Sequence, residues 1–260
     1  GAVVEIGGNI TESQQYTSLD TGRFFMRLQI EADITKEAFG KQFEEIATRF
    51  EMTYVLDHVD RKMKTLVLVS KASHTLNDML YRQRAGLLPI EIPRIVGNHP
   101  ELGNLAEFYG IDFDSFKIQT PDDKADFEKH LRQLIAEQGI ELIVLARYMQ
   151  ILSPEFCRDF AGRIINIHHS FLPGFKGAKP YHRAYERGVK MVGATAHYVT
   201  PDLDEGPIIT QDVSIVDHAD TVEDLIAQGQ DTESRVLARA VKLHLEHRVM
   251  LNGNRTIVFK

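Results

Sequence analysis

Asn166, His168, His169, His197 and Asp204 bring an amide, three imidazoles and a carboxylate into one stretch of chain, where strands give way to loops. Groups of these types can bind a developing oxyanion, move a proton and orient a water. Asn166 and His168 are two positions apart, so on a strand they face the same side. Gly162-Arg163-Ile164-Ile165 reads as a buried strand that delivers this pair to a cleft. The Leu172-Pro173-Gly174 stretch after it must turn, and Asp204-Glu205-Gly206-Pro207 is a second loop.

Three chemistries compete for these residues. His168, His169, His182 and His197 could ligate a metal, but no HExxH pattern or cysteine pair accompanies them, and no metal is expected. A triad on Ser170 lacks the GxSxG elbow, so Ser170 reads as a turn or capping hydroxyl. The third is direct attack of water on an acyl group. Asp204 would accept or relay the proton, and Asn166 and His168 would donate to the acyl oxygen, each donor contributing roughly 3–4 kcal/mol. Each residue taken singly has a structural reading, and it is their joint appearance beside a Gly-Pro loop that favours chemistry.

The chain around these residues is ordinary for a soluble enzyme. Its 260 residues are 43% hydrophobic and 26% charged, enough for one large or two modest domains. A net charge of −7 argues against nucleic acid as partner. No apolar run approaches the roughly 18–20 residues of a membrane span, and no signal peptide is visible. Gly1-Ala2-Val3-Val4-Glu5 lacks Met and reads as an interior piece of a domain, which leaves room for further residues before it or within the first segment. The lone Cys157 suits a reducing compartment, hence a cytoplasmic location, and reads as packing, since no base is linked to it.

Two blocks must position the site. In the first, residues 1–60, the turn Gly7-Gly8-Asn9 precedes strands over 10–16 and 23–30. A helix follows over 35–50, with Phe39, Phe43, Ile46, Ala47 and Phe50 on one face, then a strand over 52–58. Asp60-Arg61-Lys62-Met63-Lys64 reads as a solvated linker. From residue 65 strands and helices alternate: strands over 65–70, 90–96, 142–145, 164–167, 192–199 and 208–213, helices over 76–84, 102–109, 122–138, 153–160 and 221–246. That alternation implies an α/β fold with a parallel, doubly wound sheet, whose ligands bind outside the carboxyl ends of the strands.

The motifs Asn166-Ile167-His168, Ser170-Phe171-Leu172-Pro173, Phe175-Lys176-Gly177, His197 and Asp204-Glu205-Gly206-Pro207-Ile208-Ile209 resemble the formyltransferase domain that handles 10-formyltetrahydrofolate. The resemblance covers 65–260 and implies a Rossmann-like formyltransferase fold. It implies Asn166, His168 and Asp204 as catalytic core, with His197 holding Asp204 or a water. The stretch from Leu145 to Pro154 resembles that family's folate-binding segment. Backbone groups of Met149, Gln150, Ile151 and Leu152, and of the loop from Pro201 through Glu205 to Gly206, would then hold the pterin. Arg147 and Lys176 could meet the folate glutamate tail or lie on the surface. The first block resembles a ferredoxin-like ACT domain lacking its first strand and most of its first helix. Such domains pair side by side and take small effectors, often amino acids, which implies a homo-oligomer, a dimer or tetramer.

The choice of acceptor turns on the stretch after the first strand of the second block. A glycinamide ribonucleotide transformylase has a Gly-Ser-rich phosphate loop there. This chain reads Ser70-Lys71-Ala72-Ser73-His74-Thr75-Leu76, without glycine, so a phosphate cradle of backbone N–H groups is not expected. His169 stands where the transformylase pattern has proline. With the ACT-like block, the His168-to-Pro173 string and Asn98-His99-Pro100, the whole chain resembles the formyltetrahydrofolate deformylases. That implies hydrolysis of 10-formyltetrahydrofolate to tetrahydrofolate and formate, with folate as substrate and no cofactor. His169 would either close the acceptor side or simply pack. The alternatives are formyl transfer to an amine, or a non-catalytic amino-acid sensor with a dead folate site.

Overall fold

The computed structural model describes residues 1–172 and 180–260, with Pro180 described in its backbone only. Phe175, Lys176 and Gly177 of the motif above, with Pro173, lie outside the described residues.

The chain runs α1 (Ala2–Glu5), β1 (Asn9–Thr17), β2 (Phe24–Glu31), α2 (Lys36–Arg49), β3 (Met63–Val69), α3 (His74–Arg84), β4 (Ile90–Gly97), α4 (Gly103–Phe108), β5 (Asp112–Ser115) and α5 (Pro121–Gln138). It continues β6 (Leu142–Ala146), α6 (Pro154–Asp159), β7 (Ile164–His168), α7 (Pro180–Arg187), β8 (Met191–Tyr198), β9 (Ile208–Ile215), α8 (Val222–Leu245), β10 (Val249–Asn252) and β11 (Arg255–Val258).

Seven strands form the main sheet in the order β5-β4-β3-β6-β7-β8-β9. β3 shows why helices cover both faces. Its residues alternate sides, so Val67 and Val69 pack with Leu76, Met79 and Leu80 of α3 and with Val236, Leu237 and Val241 of α8. Leu66 and Leu68 face the other way, onto Phe127, Leu131, Leu134 and Ile135 of α5 and Phe156 and Cys157 of α6. Cys157 is buried there and burial pushes its thiol pKa up, so it packs rather than reacts. The long helix α5 starts where Thr120 and Asp123 form a capping box, with Pro121 in the first turn, and stops where Gly139 turns left-handed at φ 64°. A second capping box, Thr221 with Asp224, starts α8.

The doubly wound class holds, but the sheet is mixed. β5, β4, β3, β6 and β7 run parallel; β8 pairs antiparallel to β7 and β9 antiparallel to β8. Consecutive β8 and β9 are joined by a short loop that carries no crossover helix, and only a reversal of direction fits such a connection.

The first block departs from its expected outline in one place. β1 and β2 pair antiparallel with a bulge near Thr11, and α2 is capped by the Thr35 side chain. The strand expected over 52–58 does not form. A strand needs a neighbour for its backbone groups, and among the described residues no ladder joins this segment. The linker is not simply solvated either. Arg61 forks between Asp57 (2.7 Å) and Glu141 (2.7 Å), tying the block to the start of β6, and Met63 is buried as the first residue of β3. Burial opposes the charge of Asp57, yet hydrogen bonds from Arg61 and His247 hold its carboxyl well below the usual range.

The β10–β11 hairpin, not foreseen, seals the junction from the other end. Arg248 reaches Glu12 (3.0 Å), Arg27 donates to the Glu246 carbonyl (3.0 Å), and Asn252 donates to Ser18 (3.1 Å). No helix of the described residues is long and apolar enough to cross a membrane.

Candidate active site

The site forms where β7 and β8 meet. In their antiparallel register Asn166 lies directly opposite His197, and His168 opposite Thr195. Directly opposed residues share a face, so the Asn166 amide and the His197 ring are brought together by pairing alone. The Asn166 Nδ2 lies 3.2 Å from His197 Nε2. On the other side of the ring, His197 Nδ1 lies 2.9 Å from the Tyr198 carbonyl, which can only accept. The proton is therefore assigned to Nδ1, and Nε2 accepts from the amide. Burial pushes the His197 pKa down, against the Tyr198 carbonyl and Asp204, so the ring is held neutral.

His168 is clamped at both nitrogens. Nδ1 is 3.0 Å from the Ser170 hydroxyl and Nε2 is 3.3 Å from Asp204 Oδ2. The tautomer that serves both contacts has Ser170 donating to Nδ1 and Nε2–H directed at the carboxylate. The other carboxylate oxygen, Asp204 Oδ1, is 3.8 Å from His197 Nε2. One carboxylate thus spans two imidazoles, and the amide completes the set. The described residues contain no group of three or more His, Cys, Asp or Glu able to hold a metal ion, and His182 lies apart on α7.

The loop that carries Asp204 is held by backbone fit. Asp204 itself sits at φ 58°, a conformation that L side chains seldom adopt. Two residues on, a Cβ on Gly206 would lie 1.7 Å from the Tyr198 carbonyl oxygen and 3.3 Å from His197 Nδ1. Only glycine allows the loop to lie this close to the end of β8. Tyr198 N–H also donates to the Pro207 carbonyl (2.9 Å), which locks the approach. Pro201 and Glu205 stay exposed on the same loop.

Thr195 fixes the turn after β7. Its hydroxyl donates to the Ser170 carbonyl (2.9 Å) and accepts from the Leu172 N–H (3.0 Å) and the Gln211 amide (2.9 Å). His169 stacks on His168, with ring centroids 4.9 Å apart and planes 11° apart. Sequence reasoning missed Thr195, and gave Ser170 a turn role where it holds the His168 ring. The alternation of β8 carried the Thr195 signal: it is the hydroxyl two positions before His197, on the same face.

The folate-type segment leaves β6 beside this cluster. The Met149 N–H donates to Ser70 Oγ (2.9 Å), which in turn donates to Asn98 Oδ1 (2.6 Å), so that N–H is not among the groups left for a pterin. Met149 and Ile151 are exposed, whereas Leu152 is buried. Met149 and Gln150 line a cavity of about 290 Å³ together with Ser70, Lys71, Asn98 and Arg147. Arg147 does not reach out to solvent; it turns inward to Glu233, with Nε 3.4 Å from Oε2.

This combination of mixed sheet, Asn-His-Asp cluster and Gly-Pro loop matches known proteins. Residues 63–241 match the formyl transferase family. A formyltetrahydrofolate deformylase of Corynebacterium sp. (strain P-1) is 48% identical over 263 aligned residues, covering 100% of this chain and 92% of that protein. This chain belongs to the formyltetrahydrofolate deformylase family. Among solved structures, the formyltetrahydrofolate deformylase of Burkholderia mallei superposes on this deformylase-family chain with a TM-score of 0.96. It is 48% identical, covering 100% of this chain and 92% of that one. Glycinamide ribonucleotide transformylase 1 of Symbiobacterium toebii gives 0.71 at 30% identity, covering 80% of this chain and 98% of its own. That transformylase therefore shares the scaffold over four-fifths of this chain.

Proposed function

We propose that this protein hydrolyses 10-formyltetrahydrofolate to tetrahydrofolate and formate at the Asn166, His168, His197 and Asp204 cluster. The observation that carries this is the single Asp204 carboxylate set between two imidazoles, 3.3 Å and 3.8 Å away, with an amide donor beside them. Water attacks the formyl carbon while Asp204 takes its proton. The oxygen that becomes an anion receives the second N–H of the Asn166 amide, and the Nε2–H of His168 turns to it from Asp204 once that carboxylate has taken the proton. The first amide N–H stays on His197, which orients the group. The N10–carbon bond then breaks, and Asp204 returns the proton to N10, directly or through His168. Formate leaves with the water oxygen.

In this reading the pterin lies against backbone of Gln150, Ile151 and Leu152 and of the loop Pro201 to Gly206. The exposed side chains of Met149 and Ile151 offer it an apolar edge. No cofactor takes part. The release of formate serves purine synthesis and the one-carbon balance in the cytoplasm. We further assign residues 1–60 as an ACT-like regulatory module and 65–260 as the catalytic domain. The exposed Phe24, Met26 and Leu28 of β2 lie on one face and suit pairing with a second copy, with a small amino-acid effector at that interface.

The test is incubation of the full chain with 10-formyltetrahydrofolate alone. Rapid formate release supports hydrolysis; turnover that appears only when an amine is added would make the protein a transferase.

A further inference from the structure

We propose that Arg147, pinned by the buried carboxylate of Glu233, is the specificity residue that closes the acceptor side of the cleft to amines. The proposal rests on the hydrolase reading above and explains how a transformylase scaffold would come to deliver its formyl group to water.

The placement comes from strand register. Leu145 of β6 lies beside Asn166 of β7 in a parallel ladder. Arg147 follows directly on the last residue of β6, and His168 ends the neighbouring strand β7, so both stand at the carboxyl edge of adjacent strands. It also lines the cavity bounded by Ser70, Lys71, Asn98 and His99, at the carboxyl ends of β3 and β4. Ligands of doubly wound sheets bind at that edge.

Arg147 is held there against its own preference. Its backbone has φ 61°, the left-handed region that favours glycine. Such strain persists only where surrounding structure imposes it. Here three helices do so. Glu233 of α8 is buried and receives the Tyr181 hydroxyl of α7 (2.6 Å) and His74 Nε2 at the start of α3 (2.7 Å), and its Oε2 forms an ion pair with Arg147 Nε at 3.4 Å. Burial opposes the charge, but His74, Arg147 and Tyr181 keep the Glu233 carboxyl below its ordinary range, so it stays an anion able to hold the guanidinium. Space for this was made in the sequence: a Cβ on Gly229 would lie 2.2 Å from the Tyr181 hydroxyl. Arg147 Nε and Nη1 are buried and have no hydrogen-bond partner among the described residues. Pinned by this ion pair and by its backbone conformation, the side chain acts as a wall.

On this proposal the side chain, which lines that cavity, takes the room an attacking amine would need and leaves space for a water. In either reaction the nucleophile bonds to the formyl carbon, the N10–carbon bond breaks, and one proton passes from nucleophile to N10. Only the nucleophile differs: water gives formate, and a primary amine gives its N-formyl derivative.

The test measures how the formyl group divides between water and glycinamide, a primary amine supplied in excess. Wild-type protein, Arg147→Gly and Glu233→Gln are each incubated with 10-formyltetrahydrofolate, and formate and N-formylglycinamide are quantified together. Arg147→Gly relieves the backbone strain, and Glu233 keeps its bonds from His74 and Tyr181. The expected result is a ratio of formylated amine to formate at least tenfold above wild type in Arg147→Gly, a smaller rise in Glu233→Gln, and the wild-type ratio restored in Arg147→Lys. A ratio within twofold of wild type in Arg147→Gly overturns the proposal. If that variant does not turn over, an unchanged ratio in Glu233→Gln overturns it and a raised one supports it. Formate release by the wild-type protein alone tests the hydrolase reading separately, since it does not depend on the ratio.

Discussion

Gly206→Ala is the smallest change that tests how Asp204 is positioned. The added methyl group would stand 1.7 Å from the Tyr198 carbonyl oxygen, where ordinary contact begins near 3.4 Å, so loop or strand must give by about 1.7 Å. β8 is fixed on both sides by β7 and β9 and has little freedom, so the loop gives way. Asp204 is two residues from the clash, and its contacts with His168 and His197, at 3.3 Å and 3.8 Å, open by a comparable distance. A misplacement of about 1 Å at a reacting group costs on the order of a hundredfold in rate. Overpacking on this scale costs about 1–3 kcal/mol in stability. We therefore expect formate release to fall about a hundredfold or more in kcat, with the protein still folded by circular dichroism and melting a few degrees lower. Formate is measured in a coupled assay across substrate concentrations. A variant with kcat within twofold of wild type would refute the claim that this backbone contact positions the carboxylate.

Two further outcomes follow from the same geometry. Asn166→Ala removes the oxyanion donor and the bond to His197, and should lower kcat by about 10²–10³ while KM changes little; a change confined to KM in steady-state kinetics would remove Asn166 from the chemistry. His244, bonded at 2.7 Å to the Tyr198 hydroxyl, is pushed by burial from 6.5 down to about 4. The unfolded chain therefore binds this proton before the folded one does, and stability should fall as pH drops from about 6.5 to about 4. His197, also lowered, adds to the same trend. Denaturant titrations across that window should show a shallower slope in His244→Gln; an unchanged slope would contradict the assignment.

Much of the site was legible because period-two alternation is a strong local signal. It set Asn166 and His168 on one face before any fold was known, and the Gly-Pro pair marked the Asp204 loop. What alternation could not give was direction: β8 reads equally well as parallel or antiparallel, and only the second choice sets His197 opposite Asn166. Glu233 was invisible because one carboxylate in a long helix with many charged residues looks solvated. Its burial depends on Tyr181, His74 and Arg147, which are remote in sequence. The four-residue edge strand β5 was too short to show a pattern. The terminal hairpin did carry a signal, Asn252-Gly253 between two apolar runs, with Gly253 at φ 63°. Residues 52–58 failed the other way: they read as a strand, but a strand forms only where a ladder takes it up.

The central claim is that Asp204 takes the proton of a water attacking the formyl group. Its direct test is formate release from 10-formyltetrahydrofolate, with no acceptor present, by wild-type protein and by Asp204→Asn, with folate affinity measured in parallel. The account predicts rapid release by the wild type and a loss of about 10²–10⁴-fold in kcat in the variant, with folate binding largely retained. Near-wild-type turnover in Asp204→Asn would contradict it.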